Sequence, residues 1–212
     1  MADATNELID RMQLAELVGG FAFRDQQRWK ELAGLFMPGA PLSISWFRGS
    51  VEDFIQASRE QARSGKIAVK HHLGRPQLTV NGDRALGETD VTILIRAPDG
   101  PVDVLVDVTS FARFSDKFEE IGAIWKISER SAIYERDRAD PVDPGNRIPW
   151  AASRDEFASI PAEYRSLALV MREAGIQVMS DALTHGSERA CRLLTHQRVS
   201  LRQTAGNVVE FA

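Results

Sequence analysis

The sequence predicts an α+β fold, because two hydrophobic periods follow each other along the chain. Apolar residues recur at helical spacing within residues 6–63, as in amphipathic helices. Apolar and polar residues then alternate through residues 67–135, as they do in half-buried strands. Helical patterns followed by a long antiparallel meander indicate helices gathered on one side of a sheet.

Three helices are predicted ahead of the sheet. The first covers residues 6–24 and the second covers residues 27–36, where Pro38 prevents its continuation. The third covers residues 51–63. Ser50 is a suitable N-cap for it, and the acidic residues that follow interact favourably with the helix dipole.

The meander is predicted from period-two segments and from the turns between them. The predicted strands are residues 41–47, 67–80, 84–97, 102–115 and 121–135. The sequence Asn-Gly-Asp at 81–83 predicts a tight hairpin, and Pro-Asp-Gly-Pro at 98–101 predicts another turn. The polar residues 115–120 are expected to form a loop before the last strand.

The C-terminal part of the chain differs from the meander. Residues 136–152 are rich in Asp, Pro, Arg and Gly and predict an extended linker. Helical spacing returns in residues 153–202, a segment too small for a core of its own. We therefore expect a domain at 1–140, with a linker and helical extension at 141–212 that packs on the domain or on a neighbouring subunit.

Composition narrows the class of protein. The formal net charge of −4 gives no electrostatic reason to expect a nucleic-acid partner. The single cysteine rules out an intrachain disulfide and fits a reducing compartment. The polar N-terminus does not resemble a secretory signal, and no apolar run is long enough for a membrane helix. We expect a soluble, cytoplasmic protein that does not associate with membranes.

Motifs for common cofactors are absent from the sequence. There is no phosphate-binding loop, no dinucleotide fingerprint, no nucleophile elbow and no pattern of metal ligands. This favours chemistry without a cofactor or metal, or simple ligand binding.

Three segments, in this order, resemble those of SnoaL-like proteins, which belong to the nuclear-transport-factor-2-like superfamily. They are residues 21–36, residues 70–75 with the hairpin at 80–85, and residues 124–130. The resemblance extends over about residues 5–145. It implies a cone-shaped, strongly curved, mainly antiparallel sheet packed against N-terminal helices around a deep pocket, here with a C-terminal helical extension.

The resemblance also implies a site. In the branch that contains scytalone dehydratase and hexachlorocyclohexane dehydrochlorinase, an Asp–His pair removes a proton to begin an elimination. Asp25, His71 and Arg130 fall at the corresponding positions. The sequence has Phe21 and Phe23 near Asp25, and it lacks the tyrosine that scytalone dehydratase has there. This departure argues against a mechanism that needs a phenol on that side.

Each of these residues also has a purely structural interpretation. Asp25 could cap the second helix, or it could hold the imidazole of His71 in one tautomer. His71 and His72 are adjacent on a strand and point to opposite faces, and the resemblance selects His71 for the pocket. A histidine is suited to proton transfer because its ordinary pKa is about 6.5, but a lone histidine in a sheet is more often structural. Arg130 could stabilise negative charge or pair with an acid at the surface.

The other candidate pocket residues rest on strand position and on aromatic character. Asp107 lies among valines in mid-strand, so its carboxylate must be paired, protonated or solvent-facing, and it is a second candidate acid. The remaining candidates, each of which could also be plain core, are Phe21, Trp46, Leu73 and Tyr134.

The leading hypothesis is a cofactor-independent lyase or isomerase that acts on a small, largely apolar molecule. One alternative is a non-catalytic ligand-binding or assembly module of the same fold. Another is a subunit resembling the small β subunit of ring-hydroxylating dioxygenases, which would bind a larger iron-bearing chain. Strand 102–114 is apolar on both faces, so we also expect a homo-oligomer, a dimer or trimer.

Overall fold

The computed structural model of the chain describes residues 2–97, 104–149 and 152–203. Its α-helices are α1 (Ala2–Gly19), α2 (Trp29–Gly34), α3 (Val51–Ser64), α4 (Arg154–Ser159), α5 (Arg165–Glu173) and α6 (Glu188–Gln203). Short 3₁₀ turns follow α1 at Gly20–Phe23 and precede α5 at Ala162–Tyr164. None of the helices in these ranges combines the length and apolar composition needed to cross a membrane.

The three N-terminal helices lie where the sequence predicted them. Helix α3 begins at the predicted cap, because the Ser50 hydroxyl accepts a hydrogen bond from the Asp53 N–H at 3.2 Å. It ends at Gly65, whose φ of +65° suits a residue without a Cβ. The predicted first helix is divided into α1 and the 3₁₀ turn, which redirects the chain toward the sheet.

One mixed sheet forms the centre of the molecule. Its strands are β1 (Pro41–Ser43), β2 (Arg48–Ser50), β3 (Ala68–Leu73), β4 (Gln77–Asn81), β5 (Arg84–Ala97), β6 (Val106–Ile121), β7 (Ile124–Pro141) and β8 (Leu183–Thr184). The strand order is β2-β1-β7-β6-β5-β3, where β4 continues the β3 edge along β5 and β8 pairs with β7. Strands β1 and β8 run parallel to β7, and the other pairings are antiparallel. The sheet is curved, as predicted, and it does not close on itself.

Two predicted strands are each divided. Residues 41–47 do not form one strand, since β1 ends at Ser43 and the chain turns before β2. Residues 67–80 form β3 and β4, which are separated by Gly74–Pro76. Pro76 has no N–H for a ladder, and the Gly74 N–H donates to the Asp90 carbonyl. The predicted hairpin at 81–83 is confirmed by the pairing of Asn81 with Arg84.

The predicted loop at 115–120 is wrong, because β6 continues through it to Ile121. Asp116 and Lys117 pair with residues of β7, and Ser115 bonds to a neighbouring helix, so these polar side chains have partners within the fold. Strand β7 likewise extends into the predicted linker as far as Pro141. The turn predicted at 98–101 lies outside the described residues.

The two faces of the sheet are covered by different helices. On the inner face, even-numbered residues of β6 such as Phe114 are buried against the N-terminal helices, including Leu14 of α1. On the outer face, the Ser115 hydroxyl donates to Gln197 of α6 at 2.7 Å. Helix α5 returns to the inner side, where the Leu167 N–H near its start donates to the Asp137 carboxylate at 2.7 Å. The division into domains at residue 140 stays a prediction.

Candidate active site

A cavity lies between the inner face of the sheet and the helices. Its wall is mainly apolar and is formed by Phe21, Ile44, Trp46, Phe54, Val69, Ile93, Ile95, Phe114, Leu167 and Met171. The polar side chains on the wall are Arg24, Ser45, Gln61, His71 and Tyr134. An apolar space with a few polar groups is typical of a small-molecule site.

Asp25 and His71 meet at one side of this cavity. The His71 Nδ1 lies 2.8 Å from the Asp25 Oδ1, and the His71 backbone N–H donates to the Asp25 Oδ2 at 2.6 Å. Both side chains are nearly inaccessible, with 8% of His71 and 3% of Asp25 exposed. The second carboxylate oxygen is thus anchored to the strand while the first holds the ring.

The local structure explains how these two residues are brought together. Asp25 follows the 3₁₀ turn and lies in the irregular segment before α2, where its side chain reaches the sheet edge instead of capping the helix. His71 is on β3, an edge strand, and its alternating burial turns His71 inward and leaves His72 exposed. His71 therefore lies on the wall of the cavity, and His72 lies on the exposed face of the strand.

The surroundings of the pair favour a neutral His71 and an ionised Asp25. Burial lowers the pKa of His71, and the positive charges of Arg24 and Arg130 add to this against the opposing effect of Asp25. Burial alone would raise the pKa of Asp25, but hydrogen bonds and charge from His71, together with Arg24, lower it overall. A neutral imidazole beside an ionised carboxylate is the resting state of a general base.

Arg24 is a second polar feature of the cavity wall. Only 8% of its side chain is exposed, and burial lowers its pKa, although a guanidinium remains charged in proteins. Its Nη2 donates to the Gln61 Oε1 at 2.5 Å, and its Nη1 lies 3.5 Å from the Asp25 Oδ1. The guanidinium carbon is 5.8 Å from the centre of the Trp46 ring.

Tyr134 and Ser45 form another polar contact at the wall. The Tyr134 hydroxyl donates to the Ser45 Oγ at 2.9 Å and accepts from the Ser45 N–H at 3.0 Å. Burial raises the pKa of Tyr134, so the phenol stays protonated. The Ser45 carbonyl in turn accepts from the Met179 N–H, which ties the C-terminal extension to the wall of the cavity.

Arg130 does not line the cavity. Its Nε and Nη2 both donate to the Asp116 carboxylate at 2.7 Å, and both side chains are fully buried. Its guanidinium packs on the rings of Phe21 and Phe114, at 4.7 and 4.4 Å from their centres. Its Nη1 has no hydrogen-bond partner in the described part of the chain. The position of Arg130 does not support the predicted contact with a substrate.

Two further predicted pocket residues lie elsewhere. Asp107 is on the outer face of β6, where its carboxylate accepts from the Arg96 Nε at 2.6 Å in a largely exposed pair. Odd-numbered residues at this end of β6 point outward, so Asp107 is not a pocket acid. Leu73 shares the inner face of β3 with His71 but is not on the cavity wall, because it lies farther along the strand.

Phe21, Trp46 and Tyr134, the other predicted pocket residues, lie on the wall of the cavity. The sequence interpretation omitted Arg24 and Gln61. A signal for Gln61 exists, because it continues the buried face of α3 marked by Phe54 and Ser58 at helical spacing.

Nothing in the described ranges suggests a metal centre. No group of three or more His, Cys, Asp or Glu side chains comes close enough together there to hold a metal ion.

Comparisons with known proteins identify relatives of this chain. Residues 6–131 match the family described as the SnoaL-like domain. The chain is 30% identical over 181 residues to pea pathogenicity protein 2 of Fusarium vanettenii, and the alignment covers 84% of this chain and 76% of that protein.

Two solved structures share the fold. A scytalone dehydratase-like protein from Novosphingobium aromaticivorans has a TM-score of 0.53 and 17% identity, with 65% of this chain and 91% of that chain covered. A type 3 hexachlorocyclohexane dehydrochlorinase from Novosphingobium barchaimii has a TM-score of 0.55 and 16% identity, with 69% and 99% covered. These likenesses agree with the predicted α+β cone.

Proposed function

The chain belongs to the SnoaL-like domain family, and on this premise we propose that it is a cofactor-independent lyase or isomerase. Its substrate would be a small, largely apolar molecule held in the cavity. The observation that carries the proposal is the 2.8 Å contact between the His71 Nδ1 and the Asp25 Oδ1 at the wall of that cavity. The likeness of the fold to a dehydrochlorinase and to a scytalone dehydratase-like protein supports the reaction class.

In the proposed reaction His71 is the general base. Its Nδ1 is held by Asp25, so Nε2 is the nitrogen that can take a proton from a substrate carbon. As the C–H bond breaks, its electron pair forms a double bond and a leaving group departs with its own bonding pair, which is an elimination. In an isomerisation the pair is delocalised over the substrate, and the His71 imidazolium returns the proton to another carbon. Asp25 fixes the tautomer and stabilises the imidazolium that forms.

Arg130 has a different part in this proposal. Its charge contributes to the low pKa of His71, while its guanidinium is bound to Asp116 behind the rings of Phe21 and Phe114. We propose that Arg130 acts on His71 through its charge and supports the wall without touching the substrate.

Exchange of carbon-bound protons tests the base directly. Cyclic ketones in D₂O are suitable probes, because their C–H bonds beside the carbonyl are acidic enough for a positioned base to act on. We expect the wild type to accelerate deuterium incorporation, measured by NMR. His71→Gln should lose about 10²- to 10⁴-fold of the acceleration, the usual contribution of a positioned base. Asp25→Asn should lose part of it.

The neighbouring histidine supplies the matched control. His72→Gln removes an imidazole from the same strand on the exposed face, so its exchange rate should equal that of the wild type. An equal rate in His71→Gln and the wild type would contradict the proposal. Ligand binding without any acceleration of exchange would instead favour the non-catalytic binding module.

A further inference from the structure

Arg24 is the one cationic side chain among the described residues that line the cavity. It also borders a second, more open space that is lined by α3, β3 and the segment before α2. Gln61 and Val69 border both spaces as well. The hydrogen bond between Arg24 and Gln61 therefore lies at the boundary between the two, with the Asp25–His71 pair beside it.

The Arg24 and Gln61 side chains carry hydrogen-bond donors that are available to a ligand. A guanidinium has five N–H groups in a planar fork, and the Arg24 Nη2 donates to the Gln61 Oε1. The Gln61 Nε2 is buried and has no hydrogen-bond partner in the described part of the chain. A buried donor without a partner is costly, so an acceptor atom placed there would gain a strong hydrogen bond.

The charges around His71 also favour a negatively charged group of the substrate near Arg24. At rest, positive Arg24 and negative Asp25 balance beside a neutral His71. When His71 takes a proton, the site gains one positive charge in a buried setting, where an uncompensated charge is unfavourable. The buried Asp116 carboxylate cannot balance it, because that carboxylate is already paired with Arg130. Negative charge developing on the substrate near Arg24 would restore neutrality.

We propose that Arg24, together with the Gln61 amide, binds the substrate oxygen that becomes negative when His71 removes a proton. The substrates are then small carbonyl compounds with a C–H bond next to the carbonyl group, an inference that rests on the proposed function. The proton passes to the His71 Nε2, the C–H electron pair forms a carbon–carbon double bond, and the carbonyl π electrons move to oxygen. The enolate oxygen is held by Arg24 until it collapses, with reprotonation or loss of a leaving group.

The probe for this oxygen site is 4-nitrophenol. Its hydroxyl can give a proton to His71, and the resulting phenolate imitates an enolate oxygen. The phenolate has a visible absorption band that the phenol lacks, so ionisation in the site is read directly without turnover. We expect binding to wild type to raise the ionisation constant of the probe by about tenfold or more, since one pKa unit corresponds to that factor.

Arg24→Met should remove this increase, because methionine retains apolar bulk but not the charge. Arg24→Lys should retain part of it. Arg28→Met is the matched control: it removes one positive charge four residues away at the exposed surface, where Arg28 pairs with Glu31, and should behave as wild type. Circular dichroism checks the fold of each variant. Should Arg24→Met not fold, Gln61→Met decides, and it is expected to reduce the increase.

Several results would overturn the proposal. They are a wild type that does not bind 4-nitrophenol, a bound probe with unchanged ionisation, and an increase that survives in the folded Arg24→Met or, if that variant does not fold, in Gln61→Met. His71→Gln separates this proposal from the general-base proposal. Loss of the increase in His71→Gln but not in Arg24→Met would keep the base and reject the oxygen site. Loss in Arg24→Met but not in His71→Gln would keep the oxygen site and reject the base.

Discussion

Two buried arginines near the cavity differ in the partners that hold them. Arg130 gives two donors to one carboxylate at hydrogen-bond distance, so it has a dedicated anionic partner and its orientation is fixed. Arg24 lies 3.5 Å from a carboxylate that is also bound to His71, and its close hydrogen bond goes to an uncharged amide. The first arrangement suits a structural ion pair, and the second leaves charge available to a ligand.

The structural role of the Arg130 pair leads to a stability prediction. Asp116→Asn leaves the Arg130 charge buried without its partner, so we expect a loss of about 3–5 kcal/mol in the free energy of unfolding. Urea denaturation followed by circular dichroism measures it. Asp107→Asn is the matched control, because it breaks an Arg–Asp pair exposed to water and should change stability little. Equal effects of the two substitutions would contradict this interpretation.

The protonation states of His71 and Asp25 make stability depend on pH. The folded state lowers the pKa of His71, so the unfolded chain binds protons more readily below its ordinary pKa of about 6.5. Stability is therefore fully present above that pH and falls as the solution is acidified toward the lower folded pKa. Asp25, whose folded pKa is also lowered, adds to the loss at more acid pH.

Urea unfolding midpoints, measured from neutral pH downward, test this dependence. We expect wild type and His72→Gln to lose stability on acidification, and His71→Gln to lose less in the window just below about pH 6.5. A His71→Gln slope equal to that of the wild type would show that another group causes the acid sensitivity.

Among the strands, β6 was predicted to end too early, and this error explains why the partner of Arg130 was missed. The polar run that predicted a loop at 115–120 is the end of β6, where Asp116 lies directly across from Arg130 on β7. A sequence assigned to a loop has no register, so this pairing could not be predicted. Lys117 and Glu129 form a second cross-strand ion pair in the same stretch. Local polarity was a poor guide because the partners lie on the next strand.

The helical elements and the Asp25–His71 pair were more accessible from the sequence. The helical spacing of apolar residues and the N-cap Ser50 predicted α3, and the hairpin predicted at 81–83 located the start of β5. Arg24, in contrast, lies in an irregular turn where no period shows which way a side chain points. Its role depends on Gln61 from another helix, a contact between residues distant in the sequence.

The C-terminal helices contribute to both sides of the sheet. Helix α5 supplies Leu167 and Met171 to the cavity wall, and α6 reaches Ser115 on the outer face through Gln197. We expect deletion of residues 153–212 to lower the melting temperature and cause aggregation, because apolar surface on both faces becomes exposed. Calorimetry and light scattering measure these effects.

A shorter deletion separates the two helices. Removing residues 188–212 takes away α6 but keeps α5 and the wall of the cavity, so the His71 ring should keep its NMR signature while solubility decreases. If the 153–212 deletion stays soluble with an unchanged melting temperature and oligomer size, the view that this segment is structural cover is wrong.

For the molecule as a whole, the prediction of a dimer or trimer remains a prediction. It was based on a sheet apolar on both faces, and α6 covers part of the outer face within the same chain. Exposed apolar side chains remain on the described surface at α1 and at the turn between β6 and β7, among them Met12, Ile121 and Ile124.

The double contact between Asp25 and His71 has a mechanical consequence. One carboxylate oxygen holds the backbone N–H of the strand and the other holds the ring carried by the same residue, so covalent and hydrogen bonds close a small cycle. When this edge of the sheet moves, the Asp25 carboxylate and the His71 ring are expected to move together. We therefore expect the orientation of the His71 ring relative to the Asp25 carboxylate to be kept when other parts of the sheet move.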